Sequence, residues 1–438
     1  MIGRAPPGGS PPGAVLLGGD PADPAITIDG ATISYRRLEA LTRQVEPGPG
    51  PLTVGVGSVV DTLVSILGAV RTGRPVVVAA PGSRPTLGEL PDATFLVVVT
   101  SGSSDHPRTL ARSLSSWTDS FAPLAALAGL TATDRVLLSG PLHSTLYLFA
   151  ALHTLWLGAQ LTDQAQDATA VHCVPMMLAA LLDDLPDRGV LRTAVVAGSA
   201  LPASLAVRAA ARGIAVLEYY GAAELSFVAA RRPPVAFRPF PGVELRDNDG
   251  LLWARSAYLA LGYVGAGQDR PGPLRVDDEG YATVGDLGEL GSDGSLRVFG
   301  RADAAITTGG ATVVAEDVEA VLSNVAGVRA AAAIGLPHPR LGQLLTAVVE
   351  LDPGTDLASV RASTRSRLTG AGRPRRWLVR RDLPRTPGGK IARARLLAEL
   401  AAEAVAAAEP AAPPEPGAAP APAWAAGSAD AGPVPELT

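Results

Sequence analysis

The sequence predicts an α/β fold with parallel sheets, and two features of its pattern support this prediction. Short β-branched runs alternate with helix-like segments through the first half of the chain, which is typical of a parallel sheet covered by helices. From about Gly242 the pattern changes to paired strand-like runs around Asp/Gly turns, which are typical of β-hairpins. We therefore expect a large N-terminal domain of βα units with a hairpin-rich subdomain, followed by a small α+β C-terminal domain.

The elements of the βα part follow from local runs of apolar residues. Short β-branched runs predict strands, and longer apolar or amphipathic runs predict helices. The predicted strands are Val76–Ala79, Thr94–Val99, Arg135–Leu138, Ala194–Ala197 and Ile214–Leu217. The predicted helices are Leu114–Leu127, Thr145–Leu157, Met176–Leu182 and Pro202–Arg212.

The rest of the chain predicts two hairpins and a separate small unit. Residues 243–256 and 288–300 each place an Asp/Gly turn between two strand-like runs. We place the boundary of the small unit at Gly300–Ala302. Its predicted elements are a helix at Glu316–Leu322, strands at Ala330–Gly335 and Leu345–Glu350, a helix at Leu357–Leu368 and a strand at Trp377–Val379.

The composition restricts the class of protein. Of 438 residues, 47% are hydrophobic and 18% are charged, which provides a large core and excludes disorder throughout. The net charge of −5 gives no electrostatic footprint for nucleic acid or an anionic membrane. A single cysteine, Cys173, excludes a disulfide framework within the chain, and no uninterrupted apolar run is long enough to span a bilayer. We expect a cytoplasmic protein without a membrane span or a nucleic-acid partner.

Both ends of the chain are rich in Pro, Gly and Ala, a composition that favours disorder. We expect disorder in residues 1–13 and an N-terminal domain over residues 14–300. A C-terminal domain over residues 301–400 and a disordered tail over residues 401–438 complete the predicted organisation.

The strongest local signal is a loop of small hydroxyl residues directly after an apolar strand. Phe95–Val99 leads into Thr100-Ser101-Gly102-Ser103-Ser104, and Arg108 follows. Such a loop can turn backbone N–H groups toward an anion, and its hydroxyls add further donors. The pattern indicates a phosphate site, with an ordinary surface loop as the alternative.

Further segments place carboxylates and one lysine in positions where ligands could bind. Glu218–Glu224 follows a predicted parallel strand, at the end where such sheets bind ligands. In Thr283–Gly288, Asp286 lies in a Gly-flanked turn and could hold two adjacent hydroxyls. Gly300–Gly310 crosses the predicted boundary, and Pro384–Lys390 presents a lysine in a flexible loop. Taken singly, each segment is also typical of an ordinary turn or loop that binds no ligand.

Taken together and in this order, the segments resemble the motifs of the ANL superfamily of adenylate-forming enzymes. That superfamily includes acyl-CoA synthetases, the adenylation domains of peptide synthetases, and luciferases. The resemblance covers roughly residues 22–400 and includes an opening segment from Pro24 to Leu38. It implies that the C-terminal domain is a mobile lid, which rotates between two half-reactions about a hinge at Asp303.

The resemblance implies a ligase that activates a carboxylic acid with ATP. The acid attacks the α-phosphate to give an acyl-adenylate and pyrophosphate, and a thiol then takes the acyl group and releases AMP. The implied cofactors are ATP, Mg²⁺ and CoA, or the phosphopantetheine of a carrier protein in place of CoA. The enzyme would therefore belong to fatty acid metabolism or a related acyl-CoA pathway.

The resemblance also assigns roles to individual residues. Lys390, Glu224 and Arg108 are implied as catalytic residues, and Glu224 is also implied as the Mg²⁺ ligand. The implied ATP and AMP site consists of Thr100, Ser101, Gly102, Ser103, Ser104, Gly198, Ser199, Ala200, Tyr220, Gly221, Ala222, Asp286 and Arg301.

The sequence departs from the family pattern at several positions. Asp105 stands where the phosphate loop usually has Gly, and Arg108 where it usually has Lys. Ala223 replaces the usual Thr before the magnesium glutamate, and Val284 replaces the Thr of a Thr-Gly-Asp motif. Three functions therefore stay open: an acyl-CoA ligase, an acyl–carrier-protein ligase or stand-alone adenylation enzyme, and a non-catalytic nucleotide-binding homologue.

The substrate segment argues against an α-amino acid. Amino-acid-activating relatives use an Asp that the segment Pro141–Leu146 lacks, whereas the His after Pro-Leu resembles acyl-CoA synthetases. We therefore expect an apolar fatty or aryl acid. The expected acyl pocket consists of His143, Val174, Met176, Met177 and Ala222, with Trp156 as a further apolar wall.

Overall fold

A computed structural model describes residues 16–408 apart from positions 56, 249 and 369 and the segments 101–107, 187–188, 266–272, 302–304, 309–310, 339–340 and 387–388. The helices are α1 (Tyr35–Thr42), α2 (Val59–Arg71), α3 (Ser115–Thr118), α4 (Phe121–Ala128), α5 (Thr145–Leu157), α6 (Pro175–Asp184), α7 (Ala203–Ala211), α8 (Ala315–Ser323), α9 (Leu357–Thr364) and α10 (Arg393–Ala408). None of the helices described is both long enough and apolar enough to cross a membrane.

The strands up to residue 239 are β1 (Pro24–Ile28), β2 (Ala31–Ser34), β3 (Leu52–Gly55), β4 (Val76–Ala79), β5 (Thr94–Thr100), β6 (Arg108–Ser113), β7 (Arg135–Leu137), β8 (Gln160–Thr162), β9 (Ala170–Cys173), β10 (Thr193–Val196), β11 (Ala215–Ala222), β12 (Ser226–Arg231) and β13 (Arg238–Pro239). The later strands are β14 (Glu244–Asn248), β15 (Leu251–Arg255), β16 (Gly262–Tyr263), β17 (Arg275–Val276), β18 (Ala282–Thr283), β19 (Asp286–Leu290), β20 (Leu296–Arg301), β21 (Ala305–Thr308), β22 (Ala311–Val314), β23 (Val328–His338), β24 (Gly342–Leu351) and β25 (Arg376–Val379).

The largest sheet has the strand order β13-β12-β11-β10-β9-β7-β8-β1-β2. The six strands from β11 to β1 pair in parallel, and antiparallel strands complete both edges. Cys173, Val196 and Glu218 are register partners across β9, β10 and β11. The chain therefore leaves these three strands at the same edge of the sheet, where ligands of α/β proteins usually bind.

Three smaller sheets complete the fold. The second sheet runs β16-β6-β5-β4-β3 and mixes parallel with antiparallel pairs. The third, in the order β17-β18-β15-β19-β20 with β14 beside β15, is antiparallel and contains both predicted hairpins. The fourth, in the order β22-β21-β24-β23 with β25 beside β24, draws all its strands from residues 305–379.

Helix α5 lies in the middle of the main core. Its residues from Tyr147 to Leu155 are all buried, and the helix has no polar face. A helix that is apolar all round belongs in the interior rather than on a surface. Phe149 on this helix packs edge-on against Phe121 and Phe227, which ties α4 and β12 to the same core.

The predicted fold class is confirmed, and two predicted elements, strand β4 and helix α5, have the predicted bounds. The helix predicted over Leu114–Leu127 is instead two helices, α3 and α4. Pro123 has no N–H for the helical ladder and is tolerated only in the first turn of a helix, which agrees with a new helix that begins at Phe121. The helix predicted to end at Leu368 ends at Thr364.

Residues 401–408, predicted as the start of a disordered tail, instead belong to helix α10, which continues to Ala408. This part of the sequence is an Ala/Glu/Leu run that favours helix, and the next proline is at position 410. The described residues divide into two units, 16–397 and 398–408, and residues 409–438 lie outside the described residues. The predicted disorder of residues 1–13 lies outside the described residues, and the domain boundary at residues 300–302 stays a prediction.

Two histidines are buried in the core, His153 on α5 and His172 on β9. His153 and His172 are each 1% exposed, and their ring centroids lie 5.9 Å apart. His153 Nε2 bonds to the carbonyl of Phe121 at 3.1 Å, whereas His153 Nδ1 and His172 Nε2 have no partner among the described residues. Burial lowers the pKa of His153 to about 4 and, with the charge of His153, that of His172 to about 3.

Protonation of these histidines should destabilise the fold in mild acid. Their pKa values are about 6.5 when unfolded, so below that pH the unfolded chain takes up protons that the folded chain does not. We expect the free energy of unfolding to fall by up to about 1.4 kcal/mol per pH unit for each histidine between pH 6.5 and 4. Urea unfolding of the wild type and of His172→Gln, which cannot protonate, measures the effect, and an equal pH slope in both would contradict it.

Candidate active site

The loops after β9, β10 and β11 converge at one edge of the large sheet. Val174 follows β9 and is 3% exposed, and Gly198 follows β10 with a φ of +93° that favours glycine. A Cβ on Gly198 would lie 3.0 Å from Val174 Cγ1, so these two loops are in contact. Ser199 and Ala200 are exposed in the same turn.

A buried carboxylate fixes the position of this turn. Glu218 on β11 accepts a hydrogen bond from the backbone N–H of Leu201 at 3.0 Å and another from Arg231 Nε at 2.6 Å. Burial raises the pKa of Glu218, and the bonds from Arg231 and Leu201 oppose that rise. Sequence reasoning did not assign Glu218 a role, because its partners lie 13 and 17 residues away.

A β-bulge at Tyr220 and Gly221 reorients the end of β11. A Cβ on Gly221 would lie 2.0 Å from the carbonyl oxygen of Ser226, so no other residue fits there without moving the backbone. The hydroxyl of Tyr220 donates to Asp286 Oδ2 at 2.5 Å. Tyr220 and Asp286, which the sequence places 66 residues apart, therefore form one unit of the site.

Asp286 is held at the start of β19 by a tight turn. Gly285 has a φ of +85°, and its N–H donates to Thr283 Oγ1 at 3.1 Å. Asp286 is 7% exposed and is the register partner of Arg301 on β20. The backbones of Asp286 and Arg301, which are both predicted to bind the ribose, are therefore neighbours. The side chain of Arg301 is not among those that the structure describes.

Glu224 lies in the turn between β11 and β12 and is 6% exposed. The hydroxyl of Tyr263 donates to Glu224 Oε1 at 2.7 Å. Burial and the negative charge of Glu224 raise the pKa of Tyr263 well above its ordinary value, and the positive charge of Arg108 opposes this rise. Arg108 is therefore near the Tyr263–Glu224 pair.

The surroundings of the Glu224 carboxylate suit the binding of a magnesium ion. No hydrogen bond to Glu224 Oε2 occurs within the described part of the chain, and no cluster of three or more His, Cys, Asp or Glu is found there. Mg²⁺ is commonly bound by one or two carboxylates together with substrate phosphates. A single carboxylate near Arg108 fits that pattern.

Lys390 lies at the end of a loop that two buried contacts hold in place. Glu350 Oε1 accepts from the N–H of Leu383 at 2.5 Å and from Arg385 Nη2 at 3.0 Å, and Arg385 bridges to Ile391 across the loop. The carbonyl of Lys390 accepts from the N–H of Thr386 at 2.7 Å. These bonds close the loop around the lysine.

The loop carries Lys390 to the edge of the large sheet. A Cβ on Gly198 would lie 3.2 Å from Lys390 Cε, so the lysine packs directly over that glycine. A Cβ on Gly389 would lie 3.1 Å from Val174 Cγ2 and 3.5 Å from Met176 Cε. Three segments that are far apart in sequence therefore meet at this point.

The expected acyl-pocket residues occupy different surroundings. His143 is half-buried in the loop before α5, both its ring nitrogens lack a partner among the described residues, and burial lowers its pKa. Met177 Sδ accepts from the hydroxyl of Tyr147 at 3.0 Å, and Ala222 is half-buried at the end of β11. Trp156 lies at the other end of α5, stacked on His153, and does not join the group.

Some predicted site residues cannot be placed. Ser101, Gly102, Ser103, Ser104 and the hinge Asp303 lie outside the described residues. For Thr100 only the backbone is described, as the last residue of β5 and the register partner of Arg108.

Comparison with known proteins identifies the family. The family of AMP-binding enzyme C-terminal domains matches residues 317–390. A probable 2-succinylbenzoate–CoA ligase of Mycobacterium tuberculosis is 31% identical over 386 residues, which are 81% of this chain and 99% of the ligase. The long-chain-fatty-acid–CoA ligase FadD13 of the same organism is 26% identical over 405 residues, which are 83% of this chain and 76% of FadD13.

A solved structure agrees at the level of fold. ATP-bound MatB from Rhodopseudomonas palustris superposes with a TM-score of 0.75 at 22% identity, over 87% of this chain and 96% of MatB. The fold is thus that of an adenylate-forming enzyme. The chain belongs to the ANL superfamily, within which it is an AMP-forming acyl-CoA synthetase. Among the functions that the sequence left open, the comparisons support the AMP-forming acid–CoA ligase.

A second carboxylate, Glu316 on α8, is half-buried near Asp286. Its Oε1 lies 3.3 Å from Arg393 Nη2, and its Oε2 has no partner among the described residues. Burial raises the pKa of Glu316 to about 7; the charge of Arg393 opposes this rise, and the charges of Glu319 and Asp286 add to it. Its ionisation is therefore unfavourable in the folded protein.

Replacing Glu316 by Gln should stabilise the protein above neutral pH. A carboxyl group whose pKa is raised by folding stabilises the folded protein at pH values below the pKa that it has in the unfolded chain. This stabilisation is lost as the pH rises through the pKa that the group has in the folded protein. We expect Glu316→Gln to have a higher Tm than the wild type at pH 8 and an equal Tm at pH 4.5, measured by calorimetry. Glu39→Gln, which removes the exposed Glu39–Arg43 pair, should change stability by less than about 1 kcal/mol at either pH. A lower Tm for Glu316→Gln at pH 8 would contradict this reasoning.

Proposed function

We propose that this synthetase acts on an apolar carboxylic acid, fatty or aryl, and that Lys390 is its catalytic lysine. The observation that carries the proposal is the packing of Lys390 over Gly198, beside the predicted acyl wall at Val174. A cation on a loop that reaches this sheet edge can lie between the acid and the α-phosphate. Lys390 is the only lysine in the sequence, so no other lysine can take this role.

The first half-reaction needs positioning and charge stabilisation more than covalent help from the protein. A carboxylate oxygen of the acid attacks the α-phosphorus, the bond from that phosphorus to the bridging oxygen breaks, and pyrophosphate leaves. Lys390 donates to the attacking carboxylate and to an α-phosphate oxygen, which stabilises the charge that develops on that oxygen.

The nucleotide is proposed to lie along the ends of β10 and β11. Tyr220 stacks on the adenine, with Gly198–Ala200 on its other side, and Asp286 with Arg301 holds the ribose. The hydrogen bond from Tyr220 to Asp286 supports this placement, since it links the two groups that would hold adjacent parts of one nucleoside. Thr100–Ser104 and Arg108 bind the phosphates.

Glu224 is the proposed ligand of Mg²⁺, which when bound would neutralise charge on the β- and γ-phosphates. Tyr263 holds the Glu224 carboxylate in one orientation through the 2.7 Å hydrogen bond. In the second half-reaction the thiol sulfur of CoA attacks the acyl carbon, the bond from that carbon to AMP breaks, and the thiol proton is lost. Rotation of the C-terminal domain about Asp303 would remove Lys390 and admit the thiol.

The apolar substrate class is supported by the residues near Lys390. Val174 is buried against the lysine loop, Met176 lies within contact distance of Gly389, and Met177 lies on the same helix. No carboxylate lies in the segment from Pro141 to Leu146 to hold an α-amino group. His143, whose two ring nitrogens have no partner among the described residues, can donate one hydrogen bond to an otherwise apolar acid. The names of the two similar ligases give an aryl acid, 2-succinylbenzoate, and a long-chain fatty acid as their substrates.

Hydroxylamine trapping tests the proposal without the natural acceptor. We expect ATP-dependent hydroxamate with fatty or aryl acids and none with α-amino acids. Lys390→Ala should lower the rate by about 10²–10³-fold, the usual contribution of one group aimed at developing charge. Arg376→Ala, which removes an exposed cation on β25 of the same region, is the matched control and should keep the wild-type rate. Equal rates for Lys390→Ala and the wild type would refute the assignment.

The single lysine permits an independent test. An amine-reactive reagent can modify no side chain of this protein except Lys390. We expect ATP together with the preferred acid to slow this modification and the loss of activity in parallel, as followed by intact mass. Modification that proceeds at the same rate with and without ligands would place Lys390 outside the occupied site.

The acceptor is tested separately. CoA is expected to support thioester formation, as in the CoA ligases to which the chain is similar. A carrier protein bearing phosphopantetheine serves as the comparison, and faster transfer to it than to CoA would reverse the assignment of the acceptor.

A further inference from the structure

Arg112 is the largest side chain that the described residues bury completely. It lies on β6 and is 1% exposed. Within the described residues no carboxylate lies within ion-pair distance of its guanidinium. A buried charge without a paired partner is costly, so it persists only where several hydrogen bonds hold it.

Every hydrogen bond of Arg112 goes to an oxygen of the chain. Nη1 donates to the carbonyl of Ala223 at 2.5 Å, and Nε donates to Ser116 Oγ at 3.3 Å. Nη2 donates to the carbonyls of Ser116 and Tyr258 and to Ser226 Oγ. The guanidinium thus joins α3, the turn between β11 and β12, and the segment after β15 at one point.

Two of these three segments hold Glu224. Ala223 and Ser226 flank Glu224 in its turn, and Ser226 has a φ of +60°, a conformation that a non-glycine residue rarely adopts. The segment fixed through Tyr258 contacts Glu224 twice: the N–H of Ala260 donates to its carbonyl at 2.8 Å, and Tyr263 donates to its carboxylate. Arg112 therefore anchors both the turn that carries Glu224 and the segment that orients its side chain.

Charge supports the same arrangement. Burial lowers the pKa of Arg112 to about 9, and the negative charge of Glu224 opposes this shift, so Arg112 is charged at neutral pH. A positive charge near the Glu224 carboxylate attracts that carboxylate and helps to hold its turn in place. Neither charge is exposed, so solvent screens their interaction only weakly.

We propose that Arg112 is a positioning residue for adenylation, which holds the turn of Glu224 and keeps its carboxylate oriented toward magnesium-bound ATP. The proposal rests on the proposed role of Glu224. Arg112 does not touch the substrate in this scheme and acts only through Glu224 and Tyr263.

A double-mutant cycle tests whether Arg112 acts through Glu224. The four proteins are the wild type, Arg112→Met, Glu224→Gln and the double variant, and the measured quantity is the Kd of ATP with Mg²⁺ and with EDTA, by calorimetry. With Mg²⁺ we expect each single variant to bind ATP about 10- to 100-fold more weakly, the range of a lost charged hydrogen bond, and the double variant no more weakly than the worse single variant. With EDTA all four should bind ATP alike.

A purely structural role gives a different pattern. Arg112→Met would then weaken binding by the same factor in both backgrounds and in EDTA, and this result would overturn the proposal. If Arg112→Met does not fold, Arg112→Lys takes its place in the cycle, because lysine keeps the positive charge but lacks the planar guanidinium that donates several hydrogen bonds.

The matched control is Arg71→Met. Arg71, at the end of α2, also donates to backbone carbonyls, those of Thr42, Arg43 and Val45, but these belong to no proposed part of the site. It should lower the Tm and leave the Kd for magnesium–ATP unchanged. Wild-type protein that binds ATP with Mg²⁺ dependence but forms no hydroxamate would refute the proposed function alone, and the binding cycle would still decide the role of Arg112.

Discussion

Parallel pairing of β9, β10 and β11 is the constraint on which the whole site depends. Three strands in register must end at one edge, so Val174, Gly198 and the segment from Tyr220 to Glu224 are neighbours whatever their distance in sequence. Hairpins could not produce this arrangement, because consecutive antiparallel strands end at opposite edges. The other parts of the site, Asp286 on β19 and Lys390 in its loop, meet this edge from separate sheets.

Buried charges hold the loops at this edge. Glu218 fixes the turn after β10 through Leu201, Arg112 fixes the turn after β11 through Ala223, and Glu350 fixes the base of the lysine loop through Leu383. In each case one charged side chain accepts from or donates to backbone groups that no strand or helix satisfies. Such groups cost free energy if they are left unpaired in the interior, so each contact both stabilises the fold and determines a loop conformation.

The sequence was informative where structure is local. Alternation of β-branched and helical runs predicted the βα part, and the resemblance to a known family gave Tyr220, Asp286 and Lys390 as expected site residues. It did not indicate Tyr263, whose partner Glu224 lies 39 residues earlier, or Arg112, whose bonds reach as far as Tyr258, 146 residues later. The antiparallel pairings of β6 with β5 and of β12 with β11 were likewise missed, because each strand alone has the same pattern as its parallel neighbours.

The presence of a single lysine limits how the enzyme can be modified by its own acyl-adenylate. An acyl-adenylate is a mixed anhydride that reacts with amines as well as thiols, and a surface rich in lysine would offer it many targets. Here the basic surface is almost wholly arginine, whose guanidinium stays protonated and is a poor nucleophile. Side-chain acylation by the protein's own intermediate is therefore confined to Lys390. Each such event would inactivate one molecule and increase its mass by one acyl group.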